Sequence, residues 1–568
     1  MKGYRMRDSL PKEAHTALSA YEPLLRSLLW HRNIRSTEEA EVFLNPSYDA
    51  HLHDPFLLPD MERAVERILG AMKQKERIAI YSDYDCDGIP GGVVLHDFFR
   101  AVGYENFENY IPHRHKEGYG LNNGAIEELA ERGAKLLITV DCGITDTEQV
   151  ACANELGVSV IVTDHHLPRQ MKTAAGFADE LPPAFAVINP KRADSAYPFD
   201  GLCGGGIAFK LTQALLLRGD FKLSTGREKW WLDMAGLSTL ADMVPLVGEN
   251  RVLANYGLLV LRKTRRPGLQ QLFRMMKVDQ SHLSEDDVGF MLAPRINAAS
   301  RMDAPEDAFR LLTATDAVEA GVLASHLTKL NDERKGVVAS TVKEIKRRIA
   351  HAGEPREVIV MGNPDWRPGL LGLAANSLME EYERPVFLWG REGGEVLKGS
   401  CRSDGSVNVV ELMTERRELF LDFGGHKFSG GFSLVLERIH TLEEELIEAY
   451  LRVRGSGVRE EAHLDAKLSI DDVHMDTYRE LAKLAPFGEG NPKPQFLFES
   501  VEMAGVSRFG KEEKHLKLSF KNKNGRAIDA IGFFWQEDGA PLAPGKKISF
   551  VASLELSHFR GRPELRLR

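Results

Sequence analysis

Residues 81–88 read Tyr-Ser-Asp-Tyr-Asp-Cys-Asp-Gly and place carboxylates at three alternate positions, Asp83, Asp85 and Asp87. The motif follows the apolar run at residues 78–80, which predicts a buried strand. The acids would then lie at the C-terminal end of that strand, where open α/β sheets bind ligands and metals. Carboxylates crowded at a strand end repel one another unless a cation lies between them, so the motif indicates a metal site. Taken alone, it also fits a solvated or calcium-like loop.

Three more apolar runs end in residue types that bind metals. Residues 136–140 lead to Asp141, residues 158–163 lead to Asp164, His165 and His166, and residues 237–241 lead to Asp242. Each run predicts a strand, so these side chains would share one sheet edge with the first motif. Mixed carboxylate and imidazole ligands suit manganese or zinc, whereas magnesium prefers oxygen ligands. Such a number of candidate ligands exceeds what one tetrahedral structural zinc needs, which favours two ions.

Each of these features has a plainer interpretation when it is taken singly. Asp141 and Asp242 are also typical of helix N-caps, and adjacent histidines in a loop are usually surface residues. The glycine run at residues 204–206 is typical of a simple turn, and we leave it outside the predicted site. The four motifs together, in series within one α/β pattern, favour the metal site.

The pattern of strands and helices predicts an α/β protein with several domains, as its 568 residues also require. Strands alternate with helical stretches in the first half, which predicts a parallel, helix-flanked sheet. A helical, charged connector follows, whose charge run at residues 342–348 is expected to be a solvated face. A second α/β unit and a small barrel of short alternating strands complete the chain. The predicted regions are a leader at 1–60 packed on the first domain, then 61–250, 251–350, 351–455 and 456–568.

Composition agrees with a large cytosolic enzyme, and its total charge does not exclude a nucleic-acid partner. The formal net charge is −10, but residues 501–568 hold 13 Lys and Arg against 8 Asp and Glu, a local excess of +5. The five cysteines include no Cys-x-x-Cys pair, which favours free thiols in a cytoplasm. We find no apolar run of membrane-spanning length and no secretory signal, so cytoplasmic location without a membrane partner is expected.

The four motifs resemble those of the DHH phosphoesterase superfamily. Within it, the chain resembles the RecJ family of bacterial single-strand-specific exonucleases across nearly its whole length. That closer likeness rests on strings at residues 110–114, 117–121, 242–246, 294–298, 330–335, 399–403, 424–426 and 486–492. The resemblance implies a DHH parallel-sheet domain, a helical connector, a DHH-associated α/β domain and a C-terminal OB-fold barrel.

The resemblance also implies a function. The expected activity is 5′ to 3′ hydrolysis of single-stranded DNA by two-metal catalysis, with release of 5′-mononucleotides, in DNA recombination and repair. Manganese is the expected metal and magnesium the alternative. Single-stranded DNA is the expected partner, together with a single-strand-binding protein and a helicase, and the chain is expected to act as a monomer.

The residues expected to carry this function fall into two sets. The expected metal ligands are Asp83, Asp85, Asp141, His165 and Asp242, with Asp141 as a bridge between the ions. His166 completes the catalytic set, and Asp87 and Asp164 are expected to orient their neighbours. Arg402 and Ser400 are predicted to bind a terminal phosphate, because guanidinium and hydroxyl groups donate to phosphate oxygens. The resemblance adds Arg114, Arg295, Arg301 and His426 as further DNA contacts.

Three departures from the family pattern concern DNA handling. Ser300 and Arg367 stand where glycine and histidine are usual, and the sequence stops soon after Arg566, so accessory C-terminal contacts are expected to be missing. Aromatic residues of the last region, among them His515, Phe533, Phe534, Trp535 and Phe559, are candidates for base stacking, although a core position is the expectation for each.

Two other functions fit part of this evidence. The first is a phosphodiesterase of the same superfamily that acts on short oligonucleotides or cyclic dinucleotides. The C-terminal barrel and its basic character favour a long strand instead. The second is a catalytically inactive scaffold that binds DNA and partner proteins, against which the intact acids speak.

Overall fold

The computed structural model describes residues 4–173, 176–391, 393, 395–454, 462–510, 513–533, 535, 541–558 and 563–568. Across these ranges, no helix combines the length and the apolar character needed to cross a membrane. The predicted α/β organisation with a C-terminal OB-fold domain is confirmed by the arrangement of strands and helices that follows.

The leader packs mainly on the end of the chain. Its elements are β1 (Tyr4–Met6), α1 (Lys12–Ala17), α2 (Pro23–Trp30), α3 (Thr37–Leu44) and α4 (Tyr48–His51). Strand β1 pairs in parallel with residues Ala462–Leu464, and Leu28 shares one buried core with Phe496 and Phe520 of the C-terminal domain. The expectation that the leader packs on the first domain is therefore wrong for α1 to α3. Among the described residues of the leader, Tyr48 and Leu58 are buried in the first domain's core.

The first domain is built on a parallel sheet. Its elements are α5 (Met61–Gln74), β2 (Arg77–Ser82), α6 (Gly88–Ala101), β3 (Phe107–Tyr110), α7 (Asn123–Glu131), β4 (Ala134–Val140), α8 (Thr147–Glu155), β5 (Ser159–Thr163), β6 (Arg169–Thr173), β7 (Gly176–Glu180), β8 (Ala186–Ile188), α9 (Gly204–Arg218) and α10 (Leu232–Ala241). The strand order is β3-β2-β4-β5-β8 with every pairing parallel, and β6 and β7 form a separate hairpin. Buried apolar clusters cover both faces, as a helix-flanked parallel sheet requires.

The predicted strand at residues 237–241 is wrong, because these residues are the last turns of helix α10. A short apolar run is compatible with either a buried strand or a buried helix, and periodicity alone does not separate them. Here the run is buried on all sides of a helix. A Cβ atom on Gly236 would lie 2.4 Å from the Cα atom of Gly257, so two helices cross in backbone contact at this point. Asp242 caps the C-terminal end of α10 instead of ending a strand.

The connector is helical, as predicted. It comprises α11 (Gly248–Leu261), α12 (Pro267–Met276), α13 (Glu285–Asp287), a π-helical turn (Val288–Leu292), α14 (Ala293–Met302), α15 (Glu306–Thr313) and α16 (Ala317–Ala352). Helix α16 has 36 residues and is about 54 Å long, so it joins the two lobes by itself. Leu327 packs in the first core, whereas Ile345 packs in the second. In the charge run at 342–348, Lys343 and Arg347 are exposed, as expected of a solvated face, and Ile345 is fully buried in the second core.

The second lobe is a mixed sheet. Its elements are β9 (Ile359–Gly362), α17 (Pro368–Tyr382), β10 (Val386–Arg391), β11 (Leu397–Arg402), α18 (Val409–Thr414), β12 (Asp422–His426), β13 (Ser429–Leu434) and α19 (Ile439–Val453). The strand order is β12-β13-β11-β10-β9, and only β9 and β10 run parallel. Strand β11 carries Ser400 and Arg402 at the centre of this sheet.

The C-terminal domain is a curled antiparallel sheet with a few parallel pairings. Its elements are β14 (Ala462–Leu464), β15 (Ala466–Lys467), α20 (Met475–Ala482), β16 (Phe496–Phe509), β17 (His515–Lys521), β18 (Ala527–Gly532), β19 (Lys547–Ala552), β20 (Leu554–Ser557) and β21 (Glu564–Leu567). The three strands predicted from the sequence are β17, β18 and β19. Phe533 and Trp535 are 42% and 44% exposed, so the expectation of a core position is wrong for both. Phe534 and Phe559 lie outside the described residues.

We expect Leu28→Ala to lower the free energy of unfolding by about 2–5 kcal/mol, because it opens a cavity in the core shared by leader and barrel. Val42→Ala, at a position of α3 that is 47% exposed, should change it by less than about 0.5 kcal/mol. Urea denaturation of the two variants checks this. Equal effects would mean that the leader does not belong to the barrel core.

Candidate metal centre

Three of the predicted motifs lie side by side at one edge of the parallel sheet. Asp83 follows β2, Asp141 follows β4, and Asp164 follows β5, and these strands are direct neighbours. Each acid's amide donates to the last carbonyl of the next strand: Asp83 to Val140 at 3.0 Å, Asp141 to Thr163 at 3.0 Å and Asp164 to Ile188 at 3.1 Å. The sheet's own hydrogen-bond ladder therefore sets the three acids in register.

The turn after β4 directs Asp141 over the sheet edge. Asp141 has φ +64°, a left-handed conformation that is uncommon for a residue other than glycine. A Cβ atom on Gly204 would lie 2.5 Å from the Cβ atom of Asp141. The start of α9 can approach Asp141 only because residue 204 is glycine. The glycine run that we left outside the site is therefore part of its wall.

The predicted metal ligands meet at this edge. His165 Nε2 lies 3.2 Å from Asp141 Oδ1 and 3.7 Å from Asp242 Oδ2. Ligand atoms of Asp83, Asp85 and Asp141 lie within 4.8 Å of one another, and a second such group joins Asp87, His165 and Asp242. Asp141 also forms a group with His165 and His166, so it belongs to more than one potential cation site. Asp242 reaches the centre from the end of a helix.

These residues fit a divalent cation. Asp83 Oδ1 and Asp141 Oδ1 are buried and accept no hydrogen bond, which is costly for carboxylate oxygens unless a cation binds them. Burial and the neighbouring acids raise the pKa values of Asp83, Asp85 and Asp141, and they raise the pKa of Asp242 to about 9. Burial lowers the pKa of His165 to about 4, which keeps its imidazole neutral and able to ligate.

Two further acids position their neighbours. The carboxylate of Asp87 accepts the amides of Gly204 and Gly205, both at 2.7 Å, and so ties the first motif to the start of α9. Asp164 accepts the amide of His165 at 2.7 Å and Nδ1 of His166 at 2.8 Å. Burial alone would lower the pKa of His166, but the hydrogen bond and charge of Asp164 raise it to about 9.

Four arginines, Arg114, Arg301, Arg334 and Arg402, form what we call the arginine cluster beside this centre. Burial and the positive charges of Arg114, Arg334 and Arg402 lower the pKa of Arg301 to about 10. The guanidinium of Arg114 lies 4.8 Å from the ring centre of Tyr84, the residue between Asp83 and Asp85. Within the described ranges, none of the four forms an ion pair with a carboxylate. Arg334 was missed as a contact, although it lies in one of the strings that carry the resemblance.

The start of helix α17 closes the arginine cluster on one side. A Cβ atom on Gly372 would lie 2.8 Å from Arg402 Nη2 and 3.6 Å from Ser400 Oγ. One on Gly369 would lie 3.7 Å from Arg114 Nε. The N-terminal end of a helix and unpaired guanidinium groups both attract anions, so the cluster fits a phosphate group.

The other predicted DNA contacts differ in where they lie. His426 is exposed and lines, with His165, His166 and Asp242, a cleft with a volume of about 870 Å³. Arg295 is 8% exposed and donates to the Met291 carbonyl at 2.6 Å, so the structure assigns it to the connector's own packing. Contact between Arg295 and DNA therefore stays a prediction.

The departures from the family pattern are local. Ser300 is fully buried and donates to the Asn297 carbonyl at 3.3 Å, while Asn297 Oδ1 accepts the amide of Cys86 at 2.8 Å. The α14 segment thereby holds the first acidic motif in place. Arg367 is an exposed residue that immediately precedes α17.

Family models match three parts of the chain: the DHH family N-terminal domain at residues 77–240, the DHHA1 domain at 356–452 and the RecJ OB domain at 464–568. The single-stranded-DNA-specific exonuclease RecJ of Bacillus subtilis strain 168 is 36% identical over 555 residues, which cover 96% of this chain and 67% of that protein. The chain belongs to the RecJ family.

Solved structures of the family agree with this assignment. The crystal structure of RecJ from Thermus thermophilus in complex with Mn²⁺ superposes with a TM-score of 0.81 at 29% identity, covering 100% of this chain and 78% of that one. The same enzyme in complex with Mg²⁺ gives a TM-score of 0.76 at 27% identity, covering 100% and 77%. The predicted family and fold are thus confirmed.

We expect Asp242→Asn to stabilise the metal-free protein increasingly as pH rises. An acid whose pKa is about 9 in the fold and about 3.8 when unfolded contributes stability below pH 4 that is lost as pH rises towards 9. The melting temperature of the variant, measured in chelator, should therefore exceed that of the wild type more at pH 9 than at pH 6.

With Mn²⁺ present, the wild type should have the higher melting temperature. The ion would stabilise the wild-type acid cluster and would have one ligand fewer in Asp242→Asn. Asp220→Asn, at an exposed position outside the centre, serves as the control and should follow the wild type throughout. A pH-independent difference between Asp242→Asn and the wild type would contradict mutual repulsion in the centre.

Proposed function

We propose that this protein is an exonuclease that digests single-stranded DNA from its 5′ end and releases 5′-mononucleotides with two manganese ions. The observation that supports this proposal most directly is a buried acid centre whose carboxylate oxygens lack hydrogen-bond donors. It lies beside the arginine cluster, whose described members form no ion pairs with carboxylates. Family membership supports the substrate, and the direction of digestion follows from the resemblance rather than from geometry.

The metal centre would be held by Asp83, Asp85, Asp141, His165 and Asp242. When bound there, divalent ions would activate a water molecule and neutralise the charge that develops on the phosphate. Asp164 orients both histidines through its hydrogen bonds. His166 faces the cleft and is held by its hydrogen bond to Asp164, so it would be placed to contact the reacting phosphate. His426, from the second lobe, lines the same cleft and would contact the phosphate from the opposite side.

The arginine cluster would bind the terminal phosphate of the strand. Arg114 comes from the first domain, Arg301 and Arg334 from the connector, and Arg402 from the second lobe. A terminal phosphate held beside the acids would bring the first linkage of the strand to the metal centre, in keeping with release of mononucleotides. Because Ser400 and the arginines bind phosphate rather than bases, binding should tolerate any sequence and weaken with salt.

The C-terminal domain supports a long single strand as substrate. Its surface exposes a group of rings in which His515 lies 5.2 Å from both Phe509 and Phe533. The Arg568 guanidinium lies 5.3 Å from the ring centre of Phe533. Exposed aromatic rings with adjacent arginine are typical of surfaces that stack unpaired bases. This surface favours a strand over a dinucleotide, although the metal centre alone would serve either.

The proposal extends to the setting of the enzyme. All five cysteines are free, in keeping with a cytoplasmic location. Recombination and repair, a monomeric state, and cooperation with a single-strand-binding protein and a helicase follow from the resemblance alone. Magnesium is the alternative metal.

Digestion of an oligonucleotide labelled at either end tests the proposal. With Mn²⁺ present, mononucleotides should leave progressively from the 5′ end, and Asp141→Asn should lower the rate by at least about 10³-fold because the shared carboxylate is lost. Asp220→Asn should retain the wild-type rate. Cleavage of a dinucleotide without digestion of the long strand would indicate the short-substrate phosphodiesterase instead, and full activity of Asp141→Asn would indicate that the acids are not catalytic.

We expect Arg402→Gln to lower kcat/KM about 10- to 100-fold on 5′-phosphorylated strands, since a charged hydrogen bond contributes about 1.5–3 kcal/mol. Strands with a 5′-hydroxyl should lose much less. Arg384→Gln, on the same lobe but outside the cluster, should leave both rates unchanged. An equal loss on both substrates would show that Arg402 does not bind the terminal phosphate.

A further inference from the structure

The segment after β8 reaches the metal centre from the side opposite the first motif. Asn189 follows β8 and is fully buried. Its Nδ2 donates to the His166 carbonyl at 2.8 Å, and its Oδ1 accepts the amide of Lys191, also at 2.8 Å. One buried side chain therefore fixes the backbone of Lys191 relative to the DHH histidines.

Of the two cations in this segment, only Lys191 is available to a substrate. Arg192 donates to Asp60 at 2.9 Å, to Asp194 at 2.7 Å and to the Val187 carbonyl at 2.6 Å, so its guanidinium is committed to the fold. Lys191 lines the cleft and makes no ion pair within 4.0 Å with any carboxylate of the described residues. Its ammonium group is therefore free to bind an anion that enters the cleft.

Lys191 lies beside one half of the metal centre, because it lines the same cleft as His165 and Asp242. Arg114 lies beside the other half, since its guanidinium is 4.8 Å from the ring centre of Tyr84, the residue between Asp83 and Asp85. The acids thus lie between two positive regions, the arginine cluster on one side and Lys191 on the other.

A single strand that crosses this centre would pass the arginine cluster, the acids and Lys191 in that order. A terminal phosphate in the arginine cluster would place the first linkage, between nucleotides 1 and 2, at the acids. The second linkage, between nucleotides 2 and 3, would then pass towards Asp242 and Lys191. We propose that Lys191 binds the phosphate of this second linkage and so holds the strand in register for cutting at the first. The proposal rests on the proposed exonuclease function and adds a binding subsite for the retained strand.

The experiment pairs a substitution in the protein with a neutral linkage in the DNA. Strands carry a 5′-phosphate and one uncharged methylphosphonate, at the second or at the third linkage, and the rate of release of the first nucleotide is measured with Mn²⁺ below saturation. In the wild type, the neutral second linkage should slow release about tenfold, the loss of one charged hydrogen bond. Lys191→Gln should slow the unmodified strand by a similar factor.

The decisive result comes from testing the Lys191 variant on the strand with the neutral linkage. Lys191→Gln should be insensitive to the neutral second linkage, whereas a neutral third linkage should affect it as much as it affects the wild type. Lys191→Arg, which keeps the charge, should restore sensitivity to the second linkage. Lys222→Gln, at an exposed position away from the cleft, should behave as the wild type does.

Two results would overturn the subsite. One is full sensitivity of Lys191→Gln to the neutral second linkage. The other is an equal loss on a 5′-phosphorylated dinucleotide, which has no second linkage and would show that Lys191 acts at the first.

Binding measurements separate the two proposals, because they do not depend on cutting. The dissociation constants of the same strands are measured for Asp141→Asn and for Asp141→Asn combined with Lys191→Gln. Coupling between Lys191 and the second linkage there would support the subsite even if the wild type released no nucleotides. Absence of that coupling would overturn the subsite while leaving the exonuclease proposal intact.

Discussion

Repulsion between buried carboxylates is the constraint on which this molecule is organised. Six acids converge at one sheet edge: Asp83, Asp85, Asp87, Asp141, Asp164 and Asp242. Those that position the chain are neutralised by backbone amides, as Asp87 is by Gly204 and Gly205. Asp83 and Asp141 keep buried oxygens without donors, and the protein can hold them as anions only with a cation between them. Without a cation, the charged form of this site is unfavourable, which is why its residues fit a divalent ion.

Contacts from distant parts of the chain hold the clustered acids in place. Asn297 of the connector holds the Cys86 amide, and the glycine start of α9 approaches Asp141 without a side chain in between. Helix α16 then joins this lobe to the one that carries Arg402. Because the arginine cluster draws on both lobes and the connector, its geometry depends on the relative position of the lobes.

Much of the fold followed from local patterns. The strands that precede Asp83, Asp141 and Asp164 were predicted because apolar runs of that length, bounded by turns, have few alternatives. The run before Asp242 was predicted as a strand and is a helix, since a fully apolar segment shows no periodicity by which to choose. The leader was assigned to the wrong domain for a related reason: an apolar helix face shows that something covers it but not what.

The sequence by itself determined most of the elements, the family and the identity of the clustered acids, because hydrophobic period, turn residues and motif spacing are local properties of a chain. Only the tertiary structure decided which side chains meet. It placed Arg301 and Arg334 in the arginine cluster, whereas Arg295, on the same helix as Arg301, donates to the Met291 carbonyl. Among the described residues it gave Lys191 no carboxylate partner, whereas Arg192 pairs with Asp60. These outcomes depend on the order of the strands, on how the helices cross and on which charged groups lie close together. All three are set by contacts between residues that are far apart in the sequence.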